Sequence, residues 1–263
     1  MGKEIINFFK EKEKIKKLFY GKEVFIFLDY DGTLTPIVET PDLAVLHADM
    51  KEVLLKLVDR YTVSIISGRA TDDVSSKVGV DNIYYAGSHG FEIAKPDGRL
   101  IINEKAQHLR GVKDRAREEV RKLTENIEGS LIEDVKYTVS CHYRLVADEN
   151  IDKFKRIIKE TVSKYPGLKV TEGKKVLDIR PDLDWNKGKA VEWILDKLKY
   201  DPGRNLAVYI GDDITDEDAF AVLEYKGFGI LVAGKIRPTK AKYYVRTVDE
   251  VKNILLYFVE LAL

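Results

Sequence analysis

The run Val24-Phe25-Ile26-Phe27-Leu28 constrains this chain more than any other stretch. Five consecutive apolar residues with turn formers directly behind them read as a strand buried on both faces, the pattern of the centre of a parallel sheet. Asp29, Tyr30, Asp31, Gly32, Thr33 and Leu34 follow at once. In open α/β sheets the ligand crevice lies beyond the carboxyl ends of the strands, so both acids fall where such a fold does its chemistry. Residues i and i+2 of an extended chain lean to the same side, which lets Asp29 and Asp31 face one small volume. Two like charges about 4 Å apart repel by roughly 4 kcal/mol at an effective dielectric of ~20. One of them must therefore meet a cation or keep a proton. Read alone, Asp-Tyr-Asp-Gly is equally an ordinary strand-ending turn.

The same pattern returns along the chain. A strand over residues 61–66 runs into Ser67-Gly68-Arg69, one over 82–86 into Gly87-Ser88-His89-Gly90, and one over 206–210 into Gly211-Asp212-Asp213 with Asp216 beyond. A fifth strand is expected near 228–232, with the Tyr225 and Phe228 aromatics in the core. Helical periodicity over 49–60, 71–78, 191–198 and from 249 onward alternates with these strands, and residues 1–20 read as an amphipathic helix. Residues 91–102 read as a hairpin turning at Pro96-Asp97-Gly98. The expected fold class is α/β, a doubly wound, Rossmann-like parallel sheet over residues 1–104 and 181–263. Residues 105–180 interrupt it with helix, strand, strand, repeated once, an α+β module with helices on one sheet face and the other face free to cover a site.

The chain has 263 residues, and lysine plus arginine balance aspartate plus glutamate at 44 each. A net charge of zero argues against a dedicated nucleic-acid or membrane-surface protein and for a small-molecule substrate. The single cysteine, Cys141, suits a reducing compartment, so the expected location is cytoplasmic; separately, a monomer is expected. No apolar run is long enough to span a bilayer, residues 1–20 lack a signal peptide's unbroken apolar region, and Met1-Gly2 with Ile6 is a poor myristoylation signal.

Doubly wound topology gathers the polar strand ends on one edge of the sheet. There Asp29, Asp31 and Asp212 offer hard oxygen ligands or a proton-handling group, Ser67 a hydroxyl and Lys187 a point charge. Magnesium suits such an all-oxygen set, and no His/Cys cluster argues for zinc. Taken singly, Ser67 is a turn cap, Lys187 a surface lysine, and His89 and His142 structural hydrogen-bonding residues.

Asp29-Tyr30-Asp31-Gly32-Thr33, Ser67 after a strand, Lys187 before a helix, and Gly211-Asp212-Asp213 with Asp216 resemble the four motifs of the haloacid dehalogenase (HAD) superfamily phosphatases. With Gly87-Ser88-His89-Gly90 and Ile214-Thr215-Asp216-Glu217, residues 24–232 more narrowly resemble trehalose-6-phosphate phosphatases. The resemblance implies hydrolysis through an aspartyl-phosphate, with Asp29 as nucleophile, Asp31 as acid and base, and Lys187 as charge neutraliser. It implies magnesium on Asp29, the Asp31 main-chain carbonyl and Asp212, with Asp213 and Asp216 orienting water and Lys187. Ser67, Gly68 and Lys187 would bind phosphate. The module over 105–180 resembles the family's substrate-specificity cap, with Glu133, Arg144, Lys174 and Asp178 at substrate-contacting positions. Two positions depart from the pattern: Val135 stands where lysine is usual, with Lys136 beside it on the opposite strand face, and Asp178 where glutamate is usual. Three alternatives stay open: a phosphatase for sucrose phosphate or a mannosyl-phosphoglycerate, a phosphotransferase, and a non-catalytic sugar-phosphate sensor.

Overall fold

The structure, a computed structural model, describes residues 5–262. Met1 and Gly2, at which the myristoylation reading is directed, lie outside the described residues. The chain enters through β1 (Ile6–Asn7), a 3-10 turn (Phe8–Glu11) and α1 (Lys12–Phe19), which corrects the single amphipathic helix expected over residues 1–20. Ile6 and Asn7 pair with the edge of the main sheet, and Phe8 is fully buried. Backbone pairing and burial there outweigh the helical periodicity.

Four elements then carry the first half of the sheet: β2 (Glu23–Leu28), α2 (Ala48–Val58), β3 (Thr62–Ile66) and α3 (Thr71–Val78). Next come β4 (Tyr84–Gly87) and the hairpin β5 (Glu92–Ala94) and β6 (Leu100–Ile102). The chain leaves the sheet for α4 (Glu104–Thr124), β7 (Leu131–Val135), β8 (Thr138–His142), α5 (Asp148–Val162), β9 (Leu168–Gly173) and β10 (Val176–Pro181). It returns through α6 (Lys187–Lys197), β11 (Asn205–Gly211), α7 (Glu217–Val222), β12 (Gly227–Val232), β13 (Tyr243–Val245) and α8 (Val248–Leu261).

The main sheet has the order β1-β13-β12-β11-β2-β3-β4-β5-β6, with every pairing parallel except those of β5, which is antiparallel to both β4 and β6. β2 sits at its centre. Val24, Ile26 and Leu28 enter the core shared with α2 and α8, while Phe25 and Phe27 enter the core shared with α6 and α7. Burial on both faces explains the unbroken apolar run. Phe228 is buried as expected, but Tyr225 is 86% exposed. It stands in the turn between α7 and β12, where Gly227 N–H bonds back to Leu223 C=O and turns residue 225 outward.

The second sheet, β7-β8-β10-β9, is antiparallel throughout. Val139, Cys141, Leu177 and Ile179 face a core formed with Val120 of α4 and Phe154 and Ile158 of α5. The intervening residues Ser140 and Asp178, with Glu133 and Val135 of β7, point the other way, into a cavity against the main sheet. This is the period-two alternation of an antiparallel sheet with one face packed and one face free for a ligand.

Candidate active site

Asp29 follows β2, and its N–H bonds Ile210 C=O of the neighbouring β11 at 2.9 Å. That pairing carries Asp29 to the same edge as Asp212, which follows β11 directly. Gly32 makes the approach possible: its φ is +81°, and a Cβ there would lie 2.2 Å from Asp212 Oδ2. Lys187 opens α6, whose cap Asn186 accepts Lys189 N–H at 2.9 Å. The Lys187 Nζ donates to Asp29 Oδ1 at 2.9 Å and to Asp216 Oδ1 at 2.7 Å, and all three residues are buried.

Asp216 is saturated. Its Oδ1 also accepts Tyr209 O–H at 2.7 Å, and its Oδ2 accepts the N–H groups of Asp212 and Asp213 at 2.9 and 2.8 Å. Burial pushes the Asp216 carboxyl up, but the Lys187 charge and these hydrogen bonds outweigh it and hold the group below the usual carboxylate range. Asp29 goes the other way. Its burial raises it well above that range despite Lys187, with Asp216 and Asp212 adding repulsion. Asp212 is pushed up to about 6 by burial, against the opposing pull of Lys174. Carboxyl oxygens of Asp29, Asp212 and Asp216 lie within 4.8 Å of one another. With the Asp216 oxygens fully engaged, Asp29 and Asp212 are the two carboxylates with coordination capacity left. One buried Asp213 oxygen, Oδ1, has no hydrogen-bond partner in the structure. A crowded, underneutralised, all-oxygen cluster with an unmatched acceptor fits a hard divalent cation.

Asp31 stands at the cavity wall, and Arg69 takes both of its oxygens, Nε to Oδ2 and Nη2 to Oδ1, each at 2.7 Å. Arg69 is itself fixed by Asp73 at 2.9 Å and Pro41 C=O at 2.8 Å. Gly68 lines the cavity. Ser67 is buried beside it, where its Oγ accepts Arg69 N–H at 3.1 Å, leaving the hydroxyl proton to be donated.

The second sheet forms the roof. Glu133 meets His142 Nε2 at 3.0 Å, Asp178 accepts Ser140 O–H at 2.7 Å, and Arg144 donates to Lys174 C=O at 2.9 Å. Lys174 Nζ reaches down to Asp212 on the floor. The structure thus brings Asp29, Asp31, Gly68, Lys187, Asp212 and Asp213 to one cavity with Glu133, Arg144, Lys174 and Asp178. Lys187 is held by Asp216, while Asp213 lines the cavity and its main-chain N–H is accepted by Asp216.

Lys136 settles the departure at Val135. Val135 lines the cavity, whereas Lys136, at φ +62° in the β7–β8 turn, pairs with the buried Glu92 of β5. It fastens the second sheet to the first and does not reach the site. Arg69 and Tyr209 were missed as functional residues. Arg69 carried a signal, a charge placed directly behind Ser67-Gly68 at a strand end. Tyr209 carried none, being one aromatic inside the apolar run of β11.

A trehalose-phosphatase family model matches residues 27–249. A trehalose 6-phosphate phosphatase of Zea mays is 42% identical over 251 residues, covering 89% of this chain and 69% of that protein. A solved structure of a trehalose-6-phosphate phosphatase related protein superposes with a TM-score of 0.79 at 28% identity, covering 90% of this chain and 97% of its own. A haloacid dehalogenase-like hydrolase from Bacteroides thetaiotaomicron shares the fold, with a TM-score of 0.61 at 16% identity over 90% of this chain and 100% of that one.

Proposed function

The chain belongs to the trehalose-phosphatase family, and from that premise we propose how its own residues release phosphate from trehalose 6-phosphate. It is a phosphoric monoester hydrolase, and its substrate is a sugar phosphate. Asp29 attacks phosphorus, the bond to the sugar oxygen breaks, and Asp31, once released from Arg69 and carrying a proton taken from solvent, gives that proton to the departing oxygen. Asp31 then takes a proton from the water that cleaves the aspartyl-phosphate, regenerating Asp29 and releasing inorganic phosphate. Lys187 neutralises charge between the buried nucleophile and the phosphoryl oxygens, which Ser67 and Gly68 hold.

Superfamily phosphatases of this kind use a divalent metal, and here Asp29, Asp212 and the main-chain carbonyl of Asp31 would hold it. The oxygen donors favour magnesium. When bound, the cation supplies positive charge that offsets repulsion between carboxylate and phosphate. Asp216 stands behind these ligands and fixes Lys187, while Asp213, at the cavity wall, would orient water. Residues 105–180 act as the specificity cap, with Glu133, Arg144, Lys174 and Asp178 gripping the sugar. We further propose a monomer in a reducing, cytoplasmic setting. Among the described residues, no helix is long and apolar enough to cross a membrane.

The observation that carries this reading is Lys187 bridging Asp29 and Asp216 beneath a polar roof. Phosphate release from a panel of sugar phosphates tests it. Trehalose 6-phosphate should be the best substrate. Brisk turnover of sucrose 6-phosphate or mannosyl-3-phosphoglycerate with none of trehalose 6-phosphate would reassign the substrate.

A further inference from the structure

His89 is a buried side chain that the reaction above does not use, and it stands in the most unusual backbone of the site. Ser88, His89 and Gly90 adopt consecutive positive φ angles of 48°, 57° and 91°. Two non-glycine residues in that region in succession are strained, and strain of this kind persists only where the surroundings over-determine it. They do so here on two sides. Toward the core, Ser88 N–H bonds Arg69 C=O at 2.6 Å and His89 N–H bonds Ser67 C=O at 2.9 Å, so the turn is laid along the 67–69 loop. Toward the cap, Ser88 Oγ donates to Val135 C=O at 2.7 Å.

The imidazole spans the same gap. A Cβ on Gly68 would lie 3.2 Å from His89 Cε1, so the ring backs directly onto the loop that faces the phosphate. Its Nε2 lies 3.6 Å from Asp178 Oδ2 on β10. The opposite nitrogen, Nδ1, is buried without a partner. A proton on Nε2 satisfies this arrangement, pointing at the carboxylate and leaving Nδ1 as a bare lone pair. At 3.6 Å the contact is looser than a closed hydrogen bond, so a small shift of the cap makes or breaks it. The ring lines the cavity beside Asp178 and has no serine or cysteine nucleophile to activate.

We propose that His89 is a positioning residue that couples the seat of Asp178 in the cap to the Ser67–Arg69 loop, so that grip on the sugar sets the placement of the phosphate. The proposal rests on the functional reading above, in which Asp178 faces sugar and Gly68 faces phosphate.

A double-mutant cycle with His89→Ala and Asp178→Asn tests it on two substrates, trehalose 6-phosphate and p-nitrophenyl phosphate, which has no sugar for the cap to hold. Coupled neighbours interact measurably in such cycles. On trehalose 6-phosphate the two losses in kcat/KM should fail to multiply, the double variant being about tenfold more active than their product requires. On p-nitrophenyl phosphate the losses should multiply. Losses that multiply on both substrates, or coupling of equal size on both, would overturn the proposal, the second result marking His89 as packing alone. If His89→Ala does not fold, His89→Asn replaces it in the cycle with the same two outcomes. A wild-type chain inactive on trehalose 6-phosphate would instead sink the functional reading and this inference with it.

Discussion

On the floor of the cavity, the side chains of Lys187, Asp29 and Asp216 are 3%, 6% and 0% exposed, whereas Glu133 and Lys174 on the roof are 35% and 45% exposed. The floor residues are tied to one another, to the Tyr209 O–H of β11 and to main-chain N–H groups of the turn after it, so each holds its neighbours in a single geometry. On the roof, Glu133 and Lys174 keep partial contact with solvent, whereas Asp178 beside them is buried. Preorganised charge in a dry site is worth more than the same charge in water, and that suits chemistry common to all phosphate esters. Half-exposed polar groups cost less to rearrange, which suits choosing among sugars. Floor variants should therefore depress every substrate alike, and roof variants should reorder substrates.

The largest effect is expected from Asp29→Asn. Losing the carboxylate proposed to attack phosphorus should lower steady-state turnover of every phosphate ester by about 10⁴-fold or more. Comparable loss on p-nitrophenyl phosphate and on trehalose 6-phosphate would uphold the division, while a loss confined to the sugar phosphate would break it. Stripping divalent cations with a chelator should come next. Because a bound cation contributes several kcal/mol of charge stabilisation, activity should fall by at least about 100-fold and return with added magnesium.

Lys187→Met should lower kcat by about 10²–10³-fold. It also leaves Asp29 and Asp216 buried without their cation, a change that typically costs about 3–5 kcal/mol of stability, readable by urea unfolding. A variant as stable as the wild type would show that the floor is less tightly interlocked than its geometry indicates. The smallest effect belongs to the roof. Glu133→Gln should raise KM for trehalose 6-phosphate by about tenfold, the scale of one charged hydrogen bond. Its effect should be larger on that substrate than on p-nitrophenyl phosphate, and equal effects would deny the roof its selective role.

The same contrast governs what could be read from the sequence. The floor was legible because Asp29 and Asp212 each directly follow a buried strand, and a parallel sheet leaves little freedom in where such ends lie. Asp29 and Asp212 come from strands that are direct neighbours, β2 and β11, although 183 residues separate them along the chain by their numbering. The roof's open face was legible from strand alternation, but its partners were not. Lys136 turned away to Glu92 because the β7–β8 turn takes it to positive φ, a choice that depends on a core residue 44 positions earlier. β1 and β13 escaped notice because two- and three-residue strands carry no periodicity, and pairing between them is purely tertiary. Arg69 was visible as a charge but not as the clamp on Asp31, since nothing local distinguishes that partner from solvent.

Rapid acid quench during turnover of trehalose 6-phosphate, followed by borohydride reduction and peptide mass spectrometry, tests most directly whether the buried floor makes Asp29 the nucleophile. An acyl phosphate is reduced to the alcohol, so conversion of Asp29 to homoserine is the expected result, absent without substrate. Brisk turnover with Asp29 unmodified, or with the modification on Asp31 or Asp212 instead, would contradict it.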